Sequence, residues 1–280
     1  GTGERFAGYP LDLCVDSCDY RAIASVSLGD VDGDGDLDAV VPTNEIPRGA
    51  AGTLWAIDLA RAEPLDGWPV RRTGLLNNTV LPIFGEGHPS PTALADLDGD
   101  GDLEIVSSAM LGAPEVLNHD GTQYTRLPSA ADAYGRDSNV RDPGFQTFAG
   151  HPGMGDMDGD GVPDIIMGAG TPTYLLSLAA VRWVEFDHVV AGWSGASAES
   201  LPGWPRQNDD VAFLHAPGIA DIDGDGVPEA LFGSSGFFLN AWNAEGEAPE
   251  GWPKNLGGWI ISAPAIGDID GDGLLDVVAA

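Results

Sequence analysis

Apolar and acidic positions alternate in one fixed phrase that recurs five times along the chain. The copies are GDVDGDGDLDAVV from Gly29, ADLDGDGDLEIVS from Ala95, GDMDGDGVPDIIM from Gly155, ADIDGDGVPEALF from Ala220 and GDIDGDGLLDVVA from Gly267, and they align without gaps. Their first aspartates, Asp30, Asp96, Asp156, Asp221 and Asp268, are spaced by 66, 60, 65 and 47 residues. Two residues ahead of each stands Leu28, Leu94, Met154, Ile219 or Ile266, followed by Gly or Ala. Behind each acidic stretch comes a short apolar, often β-branched run: AVV, IVSS, IIMG, ALFG or VVAA. Such runs, bounded by glycine and proline, predict buried strands rather than helices.

Further strand-like pieces lie between the phrases: TLWAIDL, TYLLSL, HVVAGW and FFLNAW. A G-W-P turn follows in three repeats, at Trp68, Trp204 and Trp252. Each repeat therefore predicts strand, acidic loop, strand, strand, turn and strand. Four antiparallel strands in about 45–65 residues is the size of one β-propeller blade. The expected fold is all-β, a single propeller domain or segment over residues 1–280. Its blades are four-stranded and antiparallel, with a D-x-D-x-D-G-x-x-[DE] loop between the first two strands of each. Residues 1–20, with AGYPLDL, predict the end of a preceding blade, and the last blade, ending in DVVAA, is incomplete. About five blades are expected, as part of a larger ring. The alternative is a five-bladed ring closed by Phe6 to Leu13, which would leave one blade short of a strand. Surface insertions are expected at Ala130 to Phe145 and Ala191 to Ser200.

The loops carry the chemistry. Counting each first aspartate as position 1, positions 1, 3, 5 and 9 are acidic in every copy and position 6 is glycine. Calcium is a hard cation that takes 6–8 oxygens at roughly 2.3–2.6 Å, and carboxylates alternating on a curled loop suit it. Glycine permits the sharp turn, and the carbonyl at position 7 offers a further oxygen. The expected ligands are thus Asp30, Asp32, Asp34, Asp36 and Asp38; Asp96, Asp98, Asp100, Asp102 and Glu104; Asp156, Asp158, Asp160, Val162 and Asp164; Asp221, Asp223, Asp225, Val227 and Glu229; and Asp268, Asp270, Asp272, Leu274 and Asp276. Five calcium ions, one per loop, are predicted. An EF-hand requires a bidentate acid at position 12 and flanking helices. Position 12 is Val41, Ser107, Met167, Phe232 or Ala279, so that reading fails. A merely solvated acidic turn would not keep four mutually repelling carboxylates together five times.

Charge and composition sharpen this picture. The formal charge is −32, yet 22 of the 44 acidic residues fall within the five loops, leaving 22 against 12 basic residues elsewhere. The acidity sits where cations would sit, and no basic face exists for a nucleic-acid backbone. Hydrophobic content of 43 % argues against general disorder. No apolar run approaches the ~18 residues of a membrane helix. The chain begins at Gly1 without an apolar leader, so any export signal is expected to have been removed or to lie outside it. Cys14 and Cys18 match neither a redox nor a zinc spacing. They are read as a local disulfide of an exported protein or as two reduced thiols.

The nine-residue aspartate loop between the first two strands of a blade resembles the hallmark of the FG-GAP/VCBS family of bacterial β-propellers, also seen in integrin α-subunit heads. FDHVVAGW, LPGWPR and APEGWPKNLGGWIISAPAIGDIDGDG resemble a subgroup of large secreted bacterial proteins carrying these repeats. The resemblance covers nearly the whole chain. It implies rings of seven or eight blades and an extracellular, periplasmic or cell-surface location.

Catalytic signatures are sparse. His88, His151 and His215 precede a loop aspartate by 8, 5 and 6 residues, so they make no repeated site. They are read as packed or channel-lining. No G-x-S-x-G, H-E-x-x-H or Walker pattern is present. Trp55, Trp183, Trp193, Trp242 and Trp259 are read as blade core, and the G-W-P tryptophans as wedges between blades. The resulting expectation is a non-catalytic, calcium-stabilised scaffold or binding module for a protein or glycan partner at the cell surface. The incomplete last blade is a candidate for pairing with another segment or chain. The rival readings are a polysaccharide lyase, as some lyases use propellers of this family, and a lectin with one aromatic pocket per blade interface.

Overall fold

The computed structural model describes residues 7–13, 21–45, 52–72, 86–88, 90–108, 111–112, 114–140, 144, 147–148, 150–170, 187–212 and 215–280. Cys14, Cys18, Trp183 and the TYLLSL stretch lie outside them. Regular structure among these residues is all-β apart from one 3-10 turn at Ala131–Ala133.

Five sheet units follow one another along the chain. The second comprises Ala93–Ala95, Glu104–Ser107, Glu115–Leu117 and Gln123–Arg126; the third, Gly153–Gly155, Asp164–Gly170, His188–Trp193 and Arg206–Gln207; the fourth, Gly218–Ala220, Glu229–Gly233, Phe238–Trp242 and Lys254–Asn255. Each is a four-stranded antiparallel meander in sequence order. The first unit has the same plan in Ser27–Gly29, Asp38–Glu45, Gly52–Asp58 and Val70–Arg72. The far end of its long second strand also pairs with Arg21–Ile23 and Glu86–Gly87. The fifth contributes two paired strands, Ala265–Gly267 and Asp276–Val278. Register is identical in all five. The residue before the first loop aspartate faces the position-9 acid: Gly29 opposite Asp38, Ala95 opposite Glu104, Gly155 opposite Asp164, Ala220 opposite Glu229 and Gly267 opposite Asp276.

The second and third strands read as continuous apolar runs because both sheet faces are buried, each against a neighbouring unit. Side chains of a strand alternate between faces, so adjacent residues enter different cores. Ile165 and Met167 pack with Val106 and Val116 of the second unit, whereas Ile166 packs with Ala230 and Phe232 of the fourth. Ile105 and Leu117 meet Val40 and Leu54 of the first unit. The first strands of consecutive units lie side by side. Sheets stacked face to face around shared inner strands are a propeller-like arrangement. The arc is open. The strands of the fifth unit pair only with each other among the described residues, and Leu11 and Leu13 pack on the first unit against Ala39, Val41 and Trp55. Phe6, at the start of the stretch expected to close a five-bladed ring, lies outside the described residues.

The G-W-P tryptophans do wedge between units. Trp68 is buried between the first and second and Trp204 between the third and fourth, while Trp252 packs at the fourth–fifth boundary. Each buried indole reaches a turn of the next unit: Trp68 Nε1–H donates to the His119 carbonyl at 2.6 Å and Trp204 Nε1–H to that of Asn243 at 3.1 Å. Gly192 makes room for Trp204, since a Cβ there would stand 2.8 Å from the ring.

Three expectations are corrected. The stretch Ala191 to Ser200 is no surface insertion at its start, because Ala191 and Trp193 belong to a central strand and are buried. Ala130 to Phe145 is not wholly superficial either. Ser138 and Val140 are buried between units, and Gly135 and Asp137 N–H groups donate to Trp204 and Pro202 carbonyls at 2.8 and 2.9 Å. Trp55, Trp193 and Trp242 are core, but Trp259 is 67 % exposed.

Trp204→Ala is expected to lower unfolding free energy by about 3–5 kcal/mol, and Trp259→Ala by about 0.5 kcal/mol or less. Urea denaturation of the two variants checks this; equal losses would contradict the packing described.

Candidate metal centre

Each acidic loop closes the hairpin between the first two strands of its unit, so side-by-side first strands set the loops along one rim. Leu103 N–H donates to the Val31 carbonyl at 2.9 Å, which ties the second loop directly to the first. Glycines occupy positions 4 and 6 of every loop, and all ten have positive φ, from 68° at Gly33 to 101° at Gly101. The sharp turn expected at position 6 is thus a pair of left-handed residues. Space is not the reason for glycine at Gly99, Gly101, Gly224 or Gly226, where an added Cβ would meet nothing within 4 Å. The backbone conformation is the reason.

The same hydrogen bonds recur in every copy. The position-2 N–H donates to the position-9 carboxylate: Val31 to Asp38 at 2.8 Å, Leu97 to Glu104 at 2.7 Å, Met157 to Asp164 at 2.8 Å, Ile222 to Glu229 at 3.1 Å and Ile269 to Asp276 at 2.9 Å. The position-6 glycine N–H donates to the first aspartate, as Gly35 does to Asp30 and Gly226 to Asp221, at 3.0 and 2.9 Å. Position 5 donates to position 3 and position 7 to position 5, as in Asp160 to Asp158 at 3.1 Å and Val162 to Asp160 at 2.8 Å. The loop backbone holds the acids at positions 1, 3 and 9 in place, while basic side chains reach Asp34 and Asp102.

Carboxylate oxygens converge in consequence. In four loops one oxygen from each of positions 1, 3 and 9 lies within 4.8 Å of the others: Asp30, Asp32 and Asp38; Asp96, Asp98 and Glu104; Asp156, Asp158 and Asp164; Asp268, Asp270 and Asp276. In the fourth loop the convergent set is Asp221, Asp223 and Asp225, at positions 1, 3 and 5. Of the other expected ligands, Asp34, Asp100, Asp160, Asp272 and Glu229 stand outside these triads. The residues at position 7, namely Asp36, Asp102, Val162, Val227 and Leu274, sit on the turn with N–H directed at position 5. Asp34 is engaged by Arg61 at 3.1 Å, which also pairs with Asp58 at 2.8 Å. Asp102 pairs with His119 at 2.5 Å.

Burial dominates the electrostatics of the position-9 acids. Asp38, Glu104, Asp164 and Glu229 are buried. Burial pushes the Glu104 carboxyl up from 4.5 to about 7 and Asp164 from 3.8 to about 6, against the pull of the N–H donors and reinforced by neighbouring aspartates. Asp38 and Glu229 are raised for the same reason. Asp30 Oδ1 is buried with no hydrogen-bond partner among the described residues. An oxygen-only donor set with an orphaned carboxylate oxygen fits a hard divalent cation.

The histidines are packed, as expected for His88 and His215, which are buried. His88 Nδ1 lies 2.6 Å from Ser107 Oγ, and the His215 ring lies 4.8 Å from that of Phe232. His151 is half-buried, and burial lowers it and His215 below the usual imidazole range. The Ser107–His88 pair has nucleophile–base spacing, but both residues are enclosed. Nothing in the sequence, where they stand 19 apart, signals that contact.

No known family model matches the chain, and no curated protein does. Among solved structures, the chain is similar to the rhamnogalacturonan lyase YesW at 18 % identity with a TM-score of 0.58. It is similar also to the Bacillus licheniformis rhamnogalacturonan lyase PL11, at 16 % identity and a TM-score of 0.57. In each case 93 % of this chain is covered but 47 % of the other, so the chain spans about half their length. At these identities the likeness is one of fold.

Raised carboxyl groups bind protons more tightly in the folded state. Their contribution to stability is present below their unfolded values and is lost as pH rises through about 6 for Asp164 and about 7 for Glu104. The metal-free protein is therefore expected to melt at progressively lower temperature across that window. With saturating calcium the slope should flatten or reverse, because the cation replaces the protons. Parallel melting curves with and without calcium would contradict this.

Proposed function

We propose that the chain is an arc of a calcium-loaded β-propeller of the FG-GAP/VCBS kind, larger than five blades and working outside the cell. It acts as a rigid, non-catalytic scaffold or binding module for a protein or glycan. The observation that carries this reading is the fivefold recurrence of one loop geometry, with three carboxylates converging within 4.8 Å each time. Positions 1, 3, 5 and 9 hold the ion, with the position-7 carbonyl as a further oxygen. Extracellular calcium modules work at about 10⁻⁴–10⁻³ M, which suits exposed loops with some solvent access. No helix among the described residues is long and apolar enough to cross a membrane.

Binding to the folded state alone stabilises it by RT ln(1 + [L]/Kd), about 4 kcal/mol per site at a thousandfold excess over Kd. Calcium titration of the melting temperature is the test. A rise of many degrees, reversed by chelator, is expected, and an unchanged midpoint would overturn the reading.

A second reading, polysaccharide lyase, draws support from the likeness to two rhamnogalacturonan lyases. The scaffold reading expects no product when the calcium-loaded chain is incubated with rhamnogalacturonan. Time-dependent ultraviolet absorbance from an unsaturated sugar would establish the lyase instead.

A further inference from the structure

The side-by-side first strands are staggered by one residue from unit to unit. Ser27, three before its loop aspartate, meets Thr92, four before the next, with their hydroxyl oxygens 3.0 Å apart. Gly153 and Gly155, three and one before Asp156, stand against Pro217 and Ile219, four and two before Asp221. A Cβ on these glycines would lie 2.4 and 2.7 Å from those neighbours. Gly218 meets Pro264 with the same stagger. Two residues further out, the stagger sets His151, five before its aspartate, level with His215, six before the next. Side chains alternate along a strand. Continuing that alternation turns His151 toward the fourth unit, as at Gly153 and Gly155, and His215 back toward the third, as at Pro217 and Ile219. The unequal offsets of the two histidines are what puts their rings face to face.

This boundary alone carries the pair. The equivalent places at the other three hold Ser25 and Ser90, Pro91 and Gly150, and Ala216 and Ser262. A packing need common to all boundaries therefore does not account for two imidazoles here.

His215 is also prepared for a ligand. It is 3 % exposed, and the Phe232 ring covers one side of it. Its Nδ1 lies 3.2 Å from the Ala216 carbonyl, while Nε2 is buried with no hydrogen-bond partner among the described residues. A proton on Nδ1 donates to that carbonyl and leaves the Nε2 lone pair free, the arrangement that orients metal-bound histidines. His151 is half-buried, so the pair is reached from its side. Burial lowers both imidazoles below the usual range, and His215 lowers His151 further. Both rings are thus neutral near pH 7 and can act as ligands.

We propose that His151 and His215 together bind a borderline divalent metal ion, zinc, nickel or copper, at the boundary between the third and fourth units. The site lies at the end of the innermost strands opposite the acidic loops. Nε2 of His215 and one ring nitrogen of His151 hold the ion, and water fills its remaining positions. Neutral imidazole suits these metals, whereas calcium takes oxygen ligands, so the two kinds of site select different ions. The proposal stands on the packing of the strands and is independent of the calcium reading.

Calorimetric titration of zinc into the full calcium-saturated chain is the test. The wild type should bind one zinc that His151→Ala and His215→Gln each weaken. Loss of an outer partner of a ligating histidine already costs about 10–100-fold in affinity, so loss of the ligand should cost at least as much. His188→Gln, at a histidine outside the pair, should leave that binding unchanged. Calcium-dependent melting of each variant reports whether it is folded, and His151→Ala, at the half-buried position, carries the test if His215→Gln does not fold. Zinc binding that survives in folded His151→Ala, or no zinc binding by the wild type, overturns the proposal. Either result leaves the calcium reading standing.

Discussion

The hydrogen bond from the position-2 N–H to the position-9 carboxylate couples every level of this molecule. It spans the acidic loop and anchors it on the first residue of the second strand, as between Met157 and Asp164 at 2.8 Å. The same Asp164 stands opposite Gly155 in the sheet register, while the Met157 side chain enters the core shared with the next unit. Loop geometry, strand pairing and packing between units therefore meet at one residue pair. The bond also holds a carboxylate out of water, and burial, reinforced by Asp158 and Asp160, raises the Asp164 carboxyl to about 6 despite its N–H donors. Unfavourable burial of charge at so regular a place is stabilising only when a cation joins it. A hard cation among the converging oxygens would tighten the loop, the register and the boundary together.

The stack of units follows from strands with two buried faces. A half-exposed strand alternates apolar and polar residues, whereas Asp164–Gly170 is buried along its whole length. Each such strand feeds two cores, so packing at the boundaries contributes much of the fold's stability. Burial of one Val, Leu or Ile at a boundary contributes about 1.5–3 kcal/mol. Ile269 and Val278 of the fifth unit stay 67 % and 52 % exposed and gain less of it. Trp68 and Trp204 of the G-W-P turns add a polar latch, an indole N–H seated on a carbonyl of the following unit.

Much of this was legible in the residues. Five gapless copies of the phrase located the loops, and flanking β-branched runs located the strands on either side. The G-W-P tryptophans, read as wedges between units, recur in three repeats, and Trp68 and Trp204 are buried there. Which carboxylates converge was less legible. Equivalent acids at position 5 behave differently, since Asp225 joins its triad while Asp34 turns to Arg61, a residue 27 positions away. The second left-handed glycine at position 4 was visible in every copy, but its role depends on φ rather than on residue type. The role of the Ala130 to Phe145 stretch was hidden for another reason: its contacts reach Trp204, about 65 residues on, and no local pattern announces so distant a partner. Exposure of Trp259 likewise depends on what covers it, not on its neighbours in the chain.

Anomalous scattering from crystals grown in calcium tests the central claim most directly. The account predicts a peak in each of the five loops, within about 2.6 Å of oxygens from positions 1, 3, 5 and 9 and of the position-7 carbonyl. Loops that hold only water at saturating calcium, with their acids in the same triads, would contradict it.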